Sequence, residues 1–216
     1  MTAQSGLALD HVVLAGPDLE RACQEFADLT GLVPAPGGPH AGLGTQNALA
    51  SLGDDLYLEL IVPDPATASD QNLGGAFASL DGLSLFSWAL RTQDLPGLAG
   101  QLTHEGLAPS PIIETRRDQP DGSCLIWDLM GLPGLGGAWP FFIDWRECVH
   151  PGRSNPSVGE LLHFEASLPT QDVEKLPFVP AANVTFAAGP PALSLSIETK
   201  IGTIDWSADA PRGLFG

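Results

Sequence analysis

The sequence predicts an α+β fold: tandem βαβββ units followed by a truncated third unit. Three observations carry that reading. A strand pattern, one helical pattern and further strand patterns occur in the same order at residues 9–65 and 83–150, and a recurring order is the mark of a duplicated unit. The two openings superpose, LDHVVLAGPDL from Leu9 on LFSWALRTQDL from Leu85, which lays His11 on Ser87. A third opening, LLHFEASLPTQD from Leu161, aligns His163 with His11, but no long helix follows it.

Leu9–Leu14 reads as the first strand. Asp18 then caps a helix from about Leu19 to Leu29, in which Leu19, Ala22, Cys23, Phe26 and Leu29 recur at three- and four-residue spacing and form one apolar stripe. Gly31 ends it. A Gly/Pro-rich loop or strand carrying His40 leads to two apolar runs, Ala48–Leu52 and Leu56–Val62, joined by Gly53-Asp54-Asp55. Such a pair reads as an antiparallel hairpin. In the second unit Leu83–Leu90 is a strand, a helix runs from Asp94 through Leu102 with Gly106 marking its end, and Ile112–Arg117, Ser123–Leu129 and Trp139–Trp145 are strands. The third unit, 160–206, has room for only a short helix before Pro177, then strands at Asn183–Ala187, Ala192–Thr199 and Gly202–Trp206 that extend the sheet. Residues 207–216 read as a surface tail. The turn-rich stretches 63–82 and 148–159 read as linkers or lids, so residues 1–150 form one domain with the third unit packed on it.

Composition narrows the function classes. With a net charge of −17 and only nine Lys and Arg, the chain lacks the means for a phosphate-binding surface, which argues against nucleic acid. No apolar run approaches a membrane span, and no basic-then-apolar leader opens the sequence, so a cytoplasmic, non-membrane protein is expected. Three widely spaced cysteines, Cys23, Cys124 and Cys148, fit neither a disulfide framework nor a zinc motif. Arg116-Arg117, the only basic pair, reads as a solvated turn.

The chemistry concentrates in the first unit. Alternation places Tyr57, Glu59 and Ile61 on one face of a strand, so Glu59 shares a face with apolar neighbours, where a carboxylate must be paired, hydrogen-bonded, metal-bound or protonated. The alternative is an edge-strand acid facing solvent or tied to backbone amides. His11, followed by Val12 and Val13, is a site residue or a core or sheet-face histidine bonded to a neighbour. His40 lies in a loop whose glycines allow close approach to a ligand, and its plain alternative is an exposed loop residue. If His40 and Glu59 converge, a histidine beside a partly buried carboxylate can abstract a proton. Thr45 and Asn47 offer hydrogen bonds to a substrate or fix the turn. In the second unit Trp88, Phe142 and Trp145 suit a pocket wall or a core, Arg91 an anionic partner or a strand-end ion pair, and His150 the pocket mouth.

LDHVV, the GGPHAGLGTQNAL loop running into YLELIVPDP, and the later WPFFIDW followed by His150-Pro151 resemble the glyoxalase-like members of the vicinal oxygen chelate superfamily. The resemblance implies curved mixed sheets of paired βαβββ modules around a pocket, and lyase or isomerase chemistry on a small oxygenated molecule by proton abstraction beside a carbonyl. It further implies one divalent metal ion held by the first and last strands of each module: His11 and Glu59 from the first module, Asp144 from the second, and in the fourth slot Ser87, a poor ligand. On that basis His11, His40 and Glu59 are the catalytic candidates. The same pocket also suits a binding protein that sequesters a small molecule, as drug-resistance proteins of the superfamily do, and a homodimer that shares modules is a further expectation.

Overall fold

The computed structural model describes residues 7–40, 42–118, 124–175 and 184–215. The first unit comprises β1 (Ala8–Ala15), α1 (Leu19–Thr30), β2 (Ala35–His40), β3 (Thr45–Ser51) and β4 (Tyr57–Pro63). A short helix α2 (Leu73–Phe77) lies in the connection to the second unit, which comprises β5 (Ser84–Arg91), α3 (Leu95–His104), β6 (Ile113–Asp118), β7 (Cys124–Met130) and β8 (Phe141–Asp144). Then follow β9 (Gly159–Leu168), α4 (Thr170–Val173), β10 (Val184–Ala188), β11 (Ala192–Thr199) and β12 (Gly202–Asp209).

Local signals set the helix ends. The Asp18 carboxylate accepts the Arg21 N–H at 2.8 Å, and Gly31, at φ 73°, donates its N–H to the Ala27 carbonyl in a left-handed cap. Asp94 caps α3 in the same way by accepting the Gly97 N–H. The predicted hairpin is present as β3 and β4, with Leu49 opposite Glu59. The Gly/Pro stretch before it forms β2, an edge strand, where prolines are tolerated because one row of N–H groups is unpaired.

Eight strands form one curved sheet in the order β2-β3-β4-β1-β5-β8-β7-β6, mixed in direction because β1–β4 and β5–β8 pair in parallel. The units meet at the antiparallel β1–β5 seam. Val12 faces Trp88 at its centre, and the pairs His11–Ala89 and Val13–Ser87 flank it. Moving each residue of β1 76 positions along the chain turns one flanking pair into the other, so the two units are related by a local twofold axis through Val12 and Trp88. The seam has a register shift between Leu9 and His11, at Asp10, and another opposite Val13 and Leu14, at Phe86. These are β-bulges, one extra residue each, at twofold-equivalent positions.

Two cores result. On the convex face Val12, Leu14, Leu58, Leu60 and Trp88 pack with α1, α3 and the third unit. On the concave face Val13 and Phe86 pack with Ile61, Trp127, Leu129, Phe141 and Ile143, the last five of which line a hollow. The third unit does not extend the large sheet, as its sequence suggested. It forms its own four-stranded sheet in the order β10-β9-β11-β12, in which the first strand pairs with the second and third of the unit instead of the fourth. Its apolar face is matched to the convex side, with Phe164 and Phe186 against Trp88 and Trp206 stacked on Phe26. Residues 207–209 continue β12, and the next residues fold back over the hollow, where Phe215 packs on Phe141 and would collide with any side chain at Gly131. Ser123, Pro177 and Asn183, where the sequence suggests a strand start, a helix stop and a strand start, lie outside the described residues. Among the described residues no helix is long and apolar enough to cross a membrane.

Candidate functional site

The hollow lies between the two units, lined by strands of both. Alternation along β4 sends Tyr57, Glu59 and Ile61 into it, and β1 sends His11, with Val13 packed behind on the same face. Most of its wall is apolar, formed by Leu49, Ile61, Trp127, Leu129, Phe141 and Ile143, and its polar groups gather at one end.

That end is built on Asp10, which is 0% exposed. Strict alternation would put its side chain on the convex face with Val12; the bulge brings it inside beside His11. Three donors converge on it: His11 Nδ1 at 2.6 Å on one oxygen, and His150 Nε2 and Trp145 Nε1, each at 3.0 Å, on the other. Burial alone would raise the carboxyl pKa, but the hydrogen bonds and charges of His11 and His150 outweigh it and hold the group at about 2. The surrounding bonds fix the tautomers. His150 Nδ1 accepts the Gly152 N–H at 3.0 Å, so its proton sits on Nε2 and points at Asp10. Asp10 in turn accepts from His11 Nδ1, so Nε2 is the ring nitrogen that faces the hollow, 3.6 Å from Glu59 Oε2. Tyr57 stacks on the imidazole at 4.6 Å between centroids, and Phe141 meets it edge-on.

Glu59, 7% exposed, accepts the Asn47 amide N–H at 2.6 Å and lies 3.6 Å from His40 Nε2. The Asn47 amide nitrogen also lies 3.1 Å from His40 Nε2, which therefore accepts and leaves the His40 proton on Nδ1, toward Thr45 Oγ1 at 2.9 Å. Burial lowers the His40 pKa against the pull of Glu59, so this imidazole is neutral at pH 7. On its other side the Asn47 carbonyl accepts Arg117 Nη1 at 3.2 Å and the Gly38 N–H at 3.1 Å. One amide thus holds a carboxylate and a guanidinium apart across the gap between β2 and β6. Gly37 makes room for it, since a Cβ there would lie 1.9 Å from Asn47 Oδ1 and 2.8 Å from Arg117 Nη1. Gly37→Ala is therefore expected to weaken ligand binding about tenfold or more through loss of the Asn47 contacts. Titration calorimetry beside a urea melt checks that the fold survives.

Of the residues singled out from sequence, His11, His40, Asn47, Glu59 and Trp145 line the hollow. Thr45 is buried behind His40, and His150 behind Asp10. Trp88 and Phe142 are not in the wall: they belong to the convex core, where Trp88 Nε1 donates to the Ala138 carbonyl. Arg91 binds the Asp55 carbonyl and carboxylate at a turn away from the hollow. Asp144 accepts the Arg146 N–H and pairs in register with Asp128.

Two residues of the polar end, Asp10 and Arg117, were not among the sequence candidates. Arg116-Arg117 is not a solvated turn. It lies in β6, and alternation exposes Arg116 while Arg117 points inward, 8% exposed.

The metal cage implied by the family resemblance can be tested on its donors. Val13, two residues past His11, pairs with Glu59; Ala89, two past Ser87, pairs with Phe141. The twofold equivalents of Asp10, His11 and Glu59 are thus Phe86, Ser87 and Phe141, and Asp144 corresponds to Val62. The second unit offers no strong ligand in either slot, and among the described residues no group of three or more His, Cys, Asp and Glu is disposed to hold a metal ion. The donor set does not fit the four-position cage.

Residues 9–175 match the family described as a glyoxalase-like domain. No curated protein matches by sequence. Among solved structures, a hypothetical protein from Staphylococcus aureus superposes with a TM-score of 0.62 at 18% identity, over 94% of this chain and 86% of that one. Methylmalonyl-CoA epimerase from Mycobacterium tuberculosis superposes with a TM-score of 0.50 at 22% identity, over 68% of this chain and 93% of that one. At these identities the likeness is one of fold.

Proposed function

This chain belongs to the glyoxalase-like family, and from that membership we propose that it is an enzyme that shifts a proton at a carbon beside a carbonyl, as isomerases and lyases do. The observation that supports the reading is His11 Nε2 and Glu59 Oε2, 3.6 Å apart on the wall of an apolar hollow, with a buried aspartate behind the imidazole. His11 Nε2 takes the proton. The C–H electron pair becomes the new carbon–carbon π bond, and the carbonyl π pair moves to oxygen to give an enolate. The imidazolium so formed lies between the Asp10 and Glu59 carboxylates, which stabilise it where it is created. Return of the proton to a neighbouring atom completes an isomerisation; loss of a group beside the enolate completes a lyase reaction. The apolar wall keeps water from the enolate.

The test is solvent exchange. Small carbonyl compounds are incubated with the protein in D₂O and followed by mass spectrometry; the wild type is expected to introduce deuterium next to the carbonyl of at least one. Stabilisation of the protein by a compound that never exchanges would support sequestration instead, a role the apolar wall of the second unit also suits. Chelation is expected to leave the exchange rate unchanged. A rate that falls with chelator and returns with one divalent ion would make His11 and Glu59 metal ligands.

A further inference from the structure

We propose that Arg117 anchors a carboxylate, so that the molecule taken into the hollow is a small monoanionic acid with an apolar body. The chemical outcome rests on the proton-transfer reading above, whereas the binding does not. Arg117 is 8% exposed and lines the hollow together with Thr115 of the same strand. Its Nη1 is held by Asn47, yet its buried Nε has no hydrogen-bond partner among the described residues. A buried charged donor left unpaired is costly, so it marks a place where a partner from outside belongs. The carboxylate nearest by chain of contacts, Glu59, is turned to the far side of Asn47 and accepts its N–H at 2.6 Å. The guanidinium lies in the wall of the hollow with one donor, Nε, unmatched, and a guanidinium's paired N–H donors match the two oxygens of a carboxylate.

The remaining wall selects the rest of the molecule. Trp127, Leu129, Phe141 and Ile143 offer no charge, so the body they accept is apolar, and benzoate and hexanoate probe it in a flat and an extended shape. A single guanidinium facing a hollow that already contains Glu59 favours one negative charge over two. Held by Arg117, such an acid would extend past Asn47 toward His11 Nε2, where a carbonyl-bearing carbon could lose its proton.

Titration calorimetry at pH 7.5 with benzoate and hexanoate against benzamide and hexanamide decides the matter, because each pair shares shape and differs in charge. The carboxylates are expected to bind at least about tenfold more tightly than their amides. Arg117→Gln is expected to weaken carboxylate binding about 30-fold or more and leave amide binding unchanged, with Arg117→Lys in between. Equal affinity within a pair, no binding of either carboxylate, or undiminished carboxylate binding by Arg117→Gln would each overturn the proposal. The wild-type comparison decides even if Arg117→Gln does not fold. The two readings separate cleanly: carboxylate binding without deuterium exchange on any oxo acid defeats only the proton-transfer reading. Exchange on neutral ketones with no preference for acids defeats only the anchor.

Discussion

Asp10→Asn is expected to lower the unfolding free energy by about 3–5 kcal/mol at pH 7, the range found when one partner of a buried charged network is removed. Asp10 is wholly buried and accepts from three donors, His11, His150 and Trp145. None of these can easily turn away: His150 is committed to donating by its bond from Gly152, and Trp145 has only a donor to offer. An asparagine with its N–H₂ toward His150 and Trp145 sets donor against donor, and turned the other way it forces the His11 proton from Nδ1 to Nε2; either way the charge on which the three donors converge is lost. Urea unfolding of the two proteins measures the loss. The same carboxylate predicts the acid limb of the wild-type stability curve. Its folded pKa, about 2, lies below the ordinary 3.8, so its contribution is present above pH 4 and is lost as pH falls toward 2. That contribution is about 2 kcal/mol. Asp10→Asn should be correspondingly flatter across this interval.

His11→Asn is expected to slow deuterium exchange by about 10²–10⁴-fold, the usual worth of a positioned general base. Asparagine is the informative choice because its amide N–H can take the place of Nδ1–H against Asp10, while no atom replaces Nε2 in the hollow. Binding of a carboxylate ligand should survive the change, so kcat falls much more than KM rises. Urea melts of the variant should stay close to those of the wild type. If the exchange rate were untouched while the melt held, His11 would be a packed core histidine, the plainer alternative its sequence setting allowed.

What the chain revealed in advance followed from periodicity, and what it concealed followed from departures from periodicity. The capped helices, the hairpin and the inward aim of Glu59 are consequences of three-and-a-half- and two-residue repeats. Asp10 was hidden because alternation assigns it to the convex face and only a bulge, invisible in sequence, turns it in. Arg117 was hidden in a dipeptide of two arginines that strand geometry splits, one to water and one to the interior. Asp144 drew attention as the acid in WPFFIDW, but pairing with β5 puts Phe141 in that slot, and the ladder determines the register more firmly than residue type does. Trp88 looked like a wall because aromatics line both pockets and cores. Its place at the centre of the seam, under the third unit, depends on a sheet-on-sheet contact with no local signature.

The paired bulges at Asp10 and Phe86 make the joint between halves an instrument of evolution as well as of packing. Deleting a single amino acid from the beginning of β1 would straighten it and swing the aspartate outward, disarming the imidazole while leaving every helix in place. The mirror-image kink around Phe86 has no such burden. Descendants of this chain could therefore exchange apolar side chains of the second half such as Trp127 and Leu129 to admit new substrates, so long as Trp145 and His150 remain to hold the aspartate.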